Sequence, residues 1–381
     1  MRVALNAWFW DRSHTGSGQY TRRLVEHLAA LEPGLDVTLV LPRGGFGSQV
    51  SRFQVGGTLK PGTPKLETHD LGKLYFEQVA FPRACRRLGV DVAHVPYWAP
   101  PLLPSVPAVV TVHDLIPLLL REYRGGPRVR AYTALVAAAA QRAALVLTDS
   151  EAARRDILAC LDLPPERVWT VHLAAAPCFR PDPDPEDETV RVRHGLPLRY
   201  ILYLGGFDVR KNVRTALAAY TWAGPVIGED CPLVVAGRLP ERDTPFTPDP
   251  RRQAQALGLE PGWVRFIGPV AEEEKPALYR GAVAFLFPSR YEGFGLPPLE
   301  AMACGTPVVG SDTTSIPEVV GDAGVLVDPD DAAGMAGAAI QLAEDPDFRA
   351  ELSRRALAQA ARFSWERTAR ETLAAYRRVA T

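Results

Sequence analysis

Residues 283–311, VAFLFPSRYEGFGLPPLEAMACGTPVVGS, decide the fold of this chain. The continuous apolar run over residues 283–287 predicts a strand that is buried on both faces. Pro297 and Pro298 suit the first turn of a helix, because the N–H groups of that turn have no partner within the helix. A second strand is predicted over residues 306–310. The order strand, loop, helix, strand predicts a parallel α/β sheet, and ligands bind such sheets beyond the carboxyl ends of the strands.

The loop of this stretch carries two glycines and the first of two carboxylates. Gly293 and Gly295 allow the backbone to approach a ligand closely, and the helix N-terminus that follows attracts anions. Glu292 lies in the loop and Glu300 inside the helix. At the level of the residues two interpretations stay open. The carboxylates are an acid/base pair facing one bond, or they accept hydrogen bonds from hydroxyl groups along an extended ligand.

Strand and helix alternate along most of the chain. In the first half we predict strands over residues 2–7, 37–41, 90–95, 108–112 and 145–148, and helices over residues 19–31, 74–88, 128–143 and 151–159. In the second half we predict strands over residues 200–204, 233–236, 264–267, 283–287, 306–310 and 325–327, and helices from residue 212 and over residues 331–343, 347–361 and 365–379. This alternation predicts parallel sheets with helices on both faces.

Two stretches interrupt the alternation. Residues 42–65 are rich in Gly, Pro and Ser and are predicted to form a long surface loop. Residues 177–188, PCFRPDPDPEDE, are proline-rich and acidic, which is typical of a linker. We therefore expect an N-terminal domain over residues 1–180, a linker over 181–195 and a C-terminal domain over 196–363.

The composition bounds the class of protein. The chain has 381 residues, 47% of them hydrophobic, and a net charge of −1, which indicates a globular protein of two domains and argues against a nucleic-acid binder. Its five cysteines show no CxxC spacing, so we expect reduced thiols with neither a disulfide framework nor a zinc site. The N-terminus lacks the pattern of a signal peptide, and no apolar run approaches the ~20 residues of a membrane span. These features predict a cytoplasmic protein.

A second motif, GGFDVRKN over residues 205–212, lies between a predicted strand and a predicted helix. Gly206 allows close approach of the backbone to a ligand. Arg210 can hold phosphate oxygens bidentately, and Lys211 adds a point charge. Cations are unfavourable at a helix N-terminus, so their presence here indicates a bound anion. The alternative is a solvated pair of cations.

Together these segments resemble the retaining GT-B glycosyltransferases of family 4, also called glycosyl transferases group 1. The resemblance covers nearly the whole chain. Its motifs are GSG at residues 16–18, HDLIP at 113–117, TDSE at 148–151, GGFDVRKN at 205–212 and the E-x7-E segment at 292–300. It implies a GT-B fold, in which two Rossmann-like domains face a cleft and a C-terminal helix, here residues 364–381, crosses back to the first domain.

The resemblance also implies roles for individual residues. Arg210 and Lys211 would hold the diphosphate of the donor. Glu292 would hold hydroxyl groups of the transferred sugar, and Glu300 the ribose hydroxyl groups. The backbone amides of Phe294, Gly295 and Leu296 would face the sugar and the phosphate. Gly206 would let the backbone approach the donor closely.

Two further roles would come from the first domain. Gly16 and Gly18 would let a loop close over the diphosphate. His113, at the end of a strand, would lie near the transferred sugar and the reacting centre; its alternative is a histidine that only caps a strand-end loop.

The activity that the resemblance implies is retaining transfer of a hexose from a nucleotide sugar. The HDLIPLL segment and Glu77-Gln78 are similar to bacterial enzymes of O-antigen and exopolysaccharide assembly, so the preferred donor is GDP-mannose and the acceptor a saccharide or lipid-linked saccharide. Charge on the departing diphosphate would be stabilised by Arg210, Lys211 and the helix N-terminus. No cofactor, metal or carboxylate nucleophile is required.

Two Asp-Pro-Asp segments, at residues 182–184 and 328–330, match the DxD pattern of metal-dependent glycosyltransferases. One falls in the predicted linker and the other after a short strand, where Asp-Pro commonly forms a turn. We therefore expect neither segment to bind a metal.

The acceptor side is harder to assign. Tyr97 and Trp98 either stack on a sugar or belong to the core. A basic group before an apolar helix consists of Arg121, Arg124, Arg128 and Arg130. It either contacts anionic lipid at the inner face of a membrane or is an ordinary basic surface.

Three other functions are alternatives to glycosyl transfer. A UDP-sugar 2-epimerase shares the GT-B fold but would need a different arrangement of acidic and histidine side chains. A Rossmann oxidoreductase is disfavoured, because the glycines at 16 and 18 have no third glycine after them and begin too far beyond the strand. A non-catalytic sugar-binding protein is disfavoured by the presence of Arg210, Lys211 and both glutamates.

Overall fold

The computed structural model describes residues 1–12, 15–43, 47–52 and 70–380. The chain divides into two compact units. The first unit contains Met1–Leu173 together with Ser364–Thr381, and the second contains Ala174–Phe363. The division therefore falls at Leu173, before the expected residue 180.

The first unit is built on a seven-stranded sheet with the order β3-β2-β1-β4-β5-β6-β7. The strands are β1 (Arg2–Asn6), β2 (Asp36–Arg43), β3 (Gly47–Arg52), β4 (Val92–Val95), β5 (Ala108–Thr111), β6 (Leu145–Thr148) and β7 (Val168–Thr170). All pairs are parallel except β2 with β3. The prediction of a loop over residues 42–65 is wrong for residues 47–52, because they form β3 and pair with β2. Residues 44–46 and 53–65 lie outside the described part of the chain.

Helices cover this sheet. They are α1 (Gly16–Leu31), α2 (Asp70–Tyr75), α3 (Phe81–Leu88), α4 (Ile116–Leu119), α5 (Pro127–Ala140) and α6 (Glu151–Leu161). A five-residue π-helix, Phe76–Ala80, joins α2 to α3. The central strands are buried along their whole length, as expected for a parallel sheet with helices on both faces.

The second unit has a six-stranded parallel sheet with the order β10-β9-β8-β11-β12-β13. Its strands are β8 (Ile201–Leu204), β9 (Leu233–Ala236), β10 (Val264–Gly268), β11 (Ala284–Phe287), β12 (Val308–Ser311) and β13 (Val325–Val327). Its helices are α7 (Glu186–Arg193), α8 (Val213–Ile227), α9 (Pro250–Ala256), α10 (Lys275–Gly281), α11 (Leu296–Ala303), α12 (Ile316–Val320), α13 (Ala332–Glu344) and α14 (Pro346–Ala360).

Helix α7 corrects the prediction of a linker over residues 181–195. Its first turn is acidic and its last turn carries Arg191 and Arg193, which matches the helix dipole. Arg280 on α10 forms an ion pair with Asp187 on α7. Most of the predicted linker is thus a helix packed within the second unit.

The last helix, α15 (Trp365–Val379), belongs to the first unit. The prediction that Ser364 caps it is confirmed, since the Ser364 side chain accepts a hydrogen bond from the backbone of Arg367 at 3.2 Å. Thr368 Oγ1 donates to the carbonyl of His172 at 2.6 Å. Tyr376 Oη lies 2.6 Å from His94 Nδ1 on the buried strand β4, so α15 completes the core of the first unit.

Each sheet has a point where the order of its strands reverses. In the first unit β1 lies between β2 and β4, and in the second β8 lies between β9 and β11. The loops that leave such a pair of strands run to opposite faces, which opens a crevice at their carboxyl ends. The loops after β8 and β11 contain the two donor motifs predicted from the sequence.

Candidate active site

The loops after β8 and β11 are joined by direct hydrogen bonds. The backbone N–H of Arg290 donates to the carbonyl of Arg210 at 2.8 Å. Asn212, buried at the start of α8, donates through Nδ2 to the carbonyls of Pro288 at 3.1 Å and Pro329 at 2.6 Å. Asn212 therefore ties the GGFDVRKN segment to loops after two other strands, a positioning role that the sequence analysis did not assign.

Glu292 lies between the two predicted phosphate-binding cations. Arg210 Nη1 is 2.9 Å from Glu292 Oε2, and Lys211 Nζ donates to Oε1 at 2.7 Å. Ser289 Oγ also donates to Oε1, at 2.6 Å. Burial alone raises the pKa of Glu292, but the charges of Lys211 and Arg210 outweigh it, so the pKa is lowered and the carboxylate is ionised.

The backbone of this loop is fixed by residues that precede α12. Thr314 Oγ1 accepts from the N–H of Glu292 at 3.1 Å, and Ser315 Oγ donates to its carbonyl at 2.9 Å. Arg210 Nη1 also donates to the carbonyl of Tyr291 at 2.8 Å. The sequence analysis missed Thr314 and Ser315; their signal is a run of hydroxyl residues directly after the buried strand β12.

Helix α11 begins directly beyond this loop. Gly295 is its N-cap with φ of 110°, and a Cβ there would lie 2.9 Å from Ile316 Cδ1, so the position requires glycine. Pro297 and Pro298 have no N–H, which leaves fewer first-turn donors than usual. Phe294 is buried and packs edge-on against Phe363. These placements put the predicted amides of residues 294–296 at the helix N-terminus, while their contact with a donor stays a prediction.

Glu300 is held apart from this cluster of charges. It is buried on α11 and accepts a hydrogen bond from Tyr279 Oη at 3.3 Å. Burial raises the pKa of Glu300 to about 7, although the charge of Lys275 acts in the opposite direction. Glu292 is thus ionised at neutral pH, whereas Glu300 titrates near neutrality. Glu292 and Glu300 thus have different hydrogen-bond partners among the described residues, and both interpretations of the pair stay predictions.

Gly206 lies exposed in the turn after β8. Its carbonyl accepts from Tyr203 Oη at 2.7 Å, and a Cβ at this position would be 3.3 Å from Asp208 Oδ2. The turn is therefore tight but solvent-accessible, consistent with the close approach to a ligand that the sequence predicts.

His113 follows β5 in the first unit. Its Nδ1 lies 2.6 Å from Asp149 Oδ2, and because a carboxylate only accepts, Nδ1 carries the proton. Tyr20 on α1 contacts the imidazole edge-on, with ring centroids 5.0 Å apart. Burial lowers the pKa of His113, but Asp149 outweighs it and the net shift is upward. The sequence analysis noted Asp149 within the TDSE motif but assigned it no role.

The prediction that Gly16 and Gly18 form a loop is wrong. Both lie in the first turn of α1, where Thr15 Oγ1 accepts from the N–H of Gly18 at 3.2 Å. A Cβ on Gly18 would lie 2.2 Å from the carbonyl oxygen of Arg12, whereas one on Gly16 would meet nothing within 4 Å. Gly18 therefore allows the helix to pack on the preceding backbone.

The Asp-Pro-Asp segment at residues 328–330 forms a turn, and the one at residues 182–184 leads into α7. Asp328 Oδ1 accepts from the N–H of Asp330 at 2.8 Å, and Asp330 pairs with Arg290. Asp184 accepts from the N–H of Glu186 at the start of α7. Within the described residues no group of three or more His, Cys, Asp or Glu side chains is arranged to hold a metal ion.

The fold of the chain is that of GT-B glycosyltransferases. Sucrose-phosphate synthase from Thermosynechococcus elongatus superimposes with a TM-score of 0.74 over 99% of this chain and 98% of its own, at 22% sequence identity. WaaG, a glycosyltransferase involved in lipopolysaccharide biosynthesis, superimposes with a TM-score of 0.69 at 17% identity, over 97% of this chain and 98% of its own.

Sequence comparison gives the family. The model of Glycosyltransferase Family 4 matches residues 14–177, and the model of Glycosyl transferases group 1 matches residues 187–359. O-antigen chain mannosyltransferase B of Escherichia coli is 38% identical over 271 residues, 71% of this chain and 70% of the relative. The serotype-specific mannosyltransferase WbdA of Escherichia coli is 34% identical over 265 residues, 68% of this chain, which spans only 32% of that longer relative. The chain belongs to the family 4 glycosyltransferases, and it is an enzyme of that class.

The basic group, for which lipid contact and an ordinary basic surface are the two alternatives, is exposed. Arg121, Arg124, Arg128 and Arg130 all face solvent, and Val129 among them is 47% exposed. Across the described ranges of the chain, no helix combines the length and the apolar character that crossing a membrane requires.

Proposed function

We propose that the enzyme transfers mannose from GDP-mannose to a saccharide or lipid-linked saccharide in polysaccharide assembly, with retention of configuration. The observation that carries the proposal is the convergence of Arg210 and Lys211 on Glu292 at the carboxyl ends of β8 and β11. The choice of mannose is supported by the similarity to O-antigen chain mannosyltransferase B.

In the proposed mechanism the two cations bind the donor diphosphate. As the glycosyl–phosphate bond breaks, negative charge grows on the leaving diphosphate, and Arg210, Lys211 and the N-terminus of α11 stabilise it. The acceptor hydroxyl attacks the same face of the sugar, and a diphosphate oxygen takes its proton. Glu292 binds hydroxyl groups of the sugar, and Glu300 binds those of the ribose.

Two further parts of this proposal concern His113 and the need for a metal ion or cofactor. His113, held by Asp149, contacts the transferred sugar. The reaction requires neither a metal ion nor a cofactor, because the charge stabilisation that a metal gives elsewhere comes here from Arg210 and Lys211.

The test is a transfer assay with GDP-mannose against UDP-, ADP- and dTDP-sugars, using mannose-terminated oligosaccharides as acceptors and EDTA in a parallel series. We expect transfer from GDP-mannose alone, unchanged by EDTA, and an α-linked product by NMR. Transfer from another nucleotide sugar would refute the assignment of the donor, and a β-linked product would refute retention. A Lys211→Ala variant serves as the inactive control.

We also propose that the exposed basic group touches an anionic membrane surface at the inner face. Each Arg near such a surface contributes about 1 kcal/mol. In a cosedimentation assay at low salt, vesicles of phosphatidylglycerol and phosphatidylcholine should bind the enzyme. A variant in which alanine replaces all four arginines should stay in the supernatant. Equal binding by the variant would contradict the proposal.

The epimerase alternative gains no support, since none of the relatives named above is an epimerase and Glu292 and Glu300 have separate partners. We do not propose it further.

A further inference from the structure

Thr314, between β12 and α12, has a backbone conformation that is unfavourable for threonine. Among the residues that the structure describes, three other than glycine have a positive φ, and these are Asp162, Asn212 and Thr314, at 46°, 52° and 53°. Asn and Asp adopt this left-handed region more readily than most residues, whereas a β-branched residue in it is a genuine outlier. Such a conformation costs free energy and persists only where the surrounding structure determines it.

The strain at Thr314 coincides with two hydrogen bonds to the backbone of Glu292. Thr314 Oγ1 accepts from the N–H of Glu292 at 3.1 Å, and Ser315 Oγ donates to its carbonyl at 2.9 Å. Two successive hydroxyl side chains thus hold both backbone polar groups of one residue. We name Thr314 and Ser315 the hydroxyl clamp.

Regular elements on both sides keep the hydroxyl clamp in place. Ser311, at the end of β12, donates through Oγ to the carbonyl of Ser289 at 2.6 Å. Ser315 is completely buried, and its carbonyl accepts from the N–H of Val319 in α12 at 3.1 Å. The strand before Thr314 and the helix after it therefore determine its conformation from both directions.

The side chain of Glu292 is held by a different part of the second unit. Arg210 and Lys211, from the loop after β8, lie 2.9 and 2.7 Å from its two carboxylate oxygens. The hydroxyl clamp, from the loop after β12, holds its backbone. In the proposed function the same two cations bind the donor diphosphate, so a bound diphosphate competes with Glu292 for them. The hydrogen bonds of the clamp are not subject to this competition.

We propose that Thr314 is a positioning residue for Glu292, and that its strained backbone is retained because it brings both hydroxyl groups of the clamp to Glu292. When a diphosphate engages Arg210 and Lys211, the clamp keeps the carboxylate directed at the hydroxyl groups of the transferred sugar. The inference rests on the proposed function in assigning Glu292 to that sugar. The strain and the hydrogen bonds do not depend on the assignment.

Three substitutions at residue 314 separate the hydroxyl group from the strain. Thr314→Ser keeps the hydroxyl group. Thr314→Val keeps the shape and the branched Cβ but removes the hydroxyl group. Thr314→Gly also removes it, and relieves the strain because glycine adopts a positive φ readily. The last two variants therefore differ in strain and agree in lacking the hydroxyl group.

Transfer should follow the hydroxyl group. We expect kcat with GDP-mannose to fall about tenfold in both Thr314→Val and Thr314→Gly, because the N–H of Glu292 loses its acceptor. Thr314→Ser should restore transfer to within about threefold of the wild type. GDP carries no hexose, so its dissociation constant, measured by calorimetry, should be the same in all four proteins.

Stability should follow the strain instead. The melting temperature of Thr314→Gly should exceed that of Thr314→Val by about 2 °C or more. A purely structural role for Thr314 predicts the opposite pairing, in which the more stable of these two variants is also the more active. Scanning calorimetry beside the transfer assay distinguishes the two cases.

Hydrogen exchange of the Glu292 amide, followed by NMR, needs no substrate. Exchange should be about tenfold faster in Thr314→Val and Thr314→Gly than in the wild type, and close to the wild type in Thr314→Ser. Thr221→Val is the matched control, since Thr221 Oγ1 donates to the carbonyl of Ala218 within α8 at 2.7 Å. Transfer, GDP binding and exchange of the Glu292 amide should be unchanged in it.

Three results would overturn the inference. They are wild-type transfer by Thr314→Val, a melting temperature of Thr314→Gly at or below that of Thr314→Val, and unchanged exchange of the Glu292 amide in both. If the exchange and melting results hold but the wild type transfers nothing from GDP-mannose, the proposed function fails and the positioning of Glu292 by Thr314 stands.

Discussion

Lys211 Nζ donates a hydrogen bond of 2.7 Å to Glu292 Oε1, although 81 residues separate the two in sequence. With Arg210 Nη1 at 2.9 Å from the other oxygen, two cations share one carboxylate. Asp208 Oδ1 lies 3.7 Å from Arg210 Nε, so the formal charges of the four side chains sum to zero and a diphosphate meets cations that are already paired. Glu292 therefore fixes the positions of the cations before a donor binds.

Replacing either cation should weaken binding of the diphosphate. Lys211→Ala and Arg210→Ala each lose charge-assisted hydrogen bonds of about 1.5–3 kcal/mol, so kcat/KM for the nucleotide sugar should fall by about tenfold to a hundredfold or more. Steady-state transfer assays and GDP titrations measure this. Arg214→Ala, an exposed arginine three residues later on α8, is the matched control and should behave as the wild type.

Glu292→Gln should separate diphosphate binding from transfer. The substitution removes one negative charge from beside Arg210 and Lys211, so GDP should bind as tightly as before or more tightly. Transfer should nevertheless fall, because the carboxylate that accepts from sugar hydroxyl groups is gone. Calorimetric titration with GDP beside the transfer assay tests this. Weaker GDP binding in the variant would show that Glu292 positions the cations more than it neutralises them.

Binding of the donor should release a proton from Glu300. Burial raises the pKa of Glu300 to about 7, so the Glu300 carboxyl group of the free enzyme is mostly protonated at pH 6. Ribose hydroxyl groups that donate to the carboxylate favour its ionised form and lower its pKa. Calorimetry in buffers of different ionisation enthalpy should detect proton release at pH 6 but not at pH 8.5, and Glu300→Gln should abolish it. Release that persists in the variant would assign the proton to another group.

The same raised pKa predicts how stability changes with pH. A carboxyl group that binds its proton more tightly in the folded chain lowers stability as pH rises from about 4.5 towards 7. The Glu300→Gln variant should therefore gain stability relative to the wild type over this range. Urea unfolding at pH 5 and pH 8 measures the difference, which should be larger at pH 8.

Asp149→Asn should lower the pKa of His113. Without the carboxylate, burial dominates, and the pKa should fall below its ordinary value of about 6.5. The stabilisation from this pair is fully present below about pH 6.5 and is lost as pH rises through the raised pKa of His113. NMR titration of the imidazole protons measures the shift. A pKa unchanged in Asp149→Asn would contradict the assignment of Asp149 as its cause.

The two glycines of α1 should respond differently to alanine. A Cβ at residue 18 would lie 2.2 Å from the carbonyl oxygen of Arg12, so Gly18→Ala should destabilise the chain by about 1–3 kcal/mol. Gly16→Ala meets no atom within 4 Å and should be neutral or slightly stabilising. Differential scanning calorimetry of both variants compares them directly. Equal effects would mean that Gly18 has no packing role.

The sequence predicted the strand–loop–helix–strand stretch well. Pro297 and Pro298 lie in the first turn of its helix, as predicted, since α11 begins at Leu296, and its first strand is Ala284–Phe287. The local signals there were strong, because an apolar run, a pair of prolines and glycines each allow few backbone conformations. The ion pairs of Glu292 could not be predicted, because they depend on β8 and β11 being neighbours in the sheet although β9 and β10 separate them in sequence.

Two of the wrong predictions have a common physical origin. Gly16 and Gly18 lower helix propensity, but Thr15 caps the helix and tertiary packing requires the small residue at 18. Prolines and acidic residues suggested a linker before residue 195, although the acidic first turn and basic last turn of α7 favour a helix. In both cases the signals that begin and end a helix determine the structure, and the composition of the segment does not.

The position of α15 has a consequence for how the chain is synthesised. Strand β4 is synthesised early, but the tyrosine that meets its buried His94 is Tyr376, which follows the whole second unit in sequence. Residues 174–363 are contiguous and can fold as soon as they leave the ribosome. The first unit is therefore completed only after the second, and a chain that stops before α15 would have an intact donor-motif unit attached to an unfinished first one.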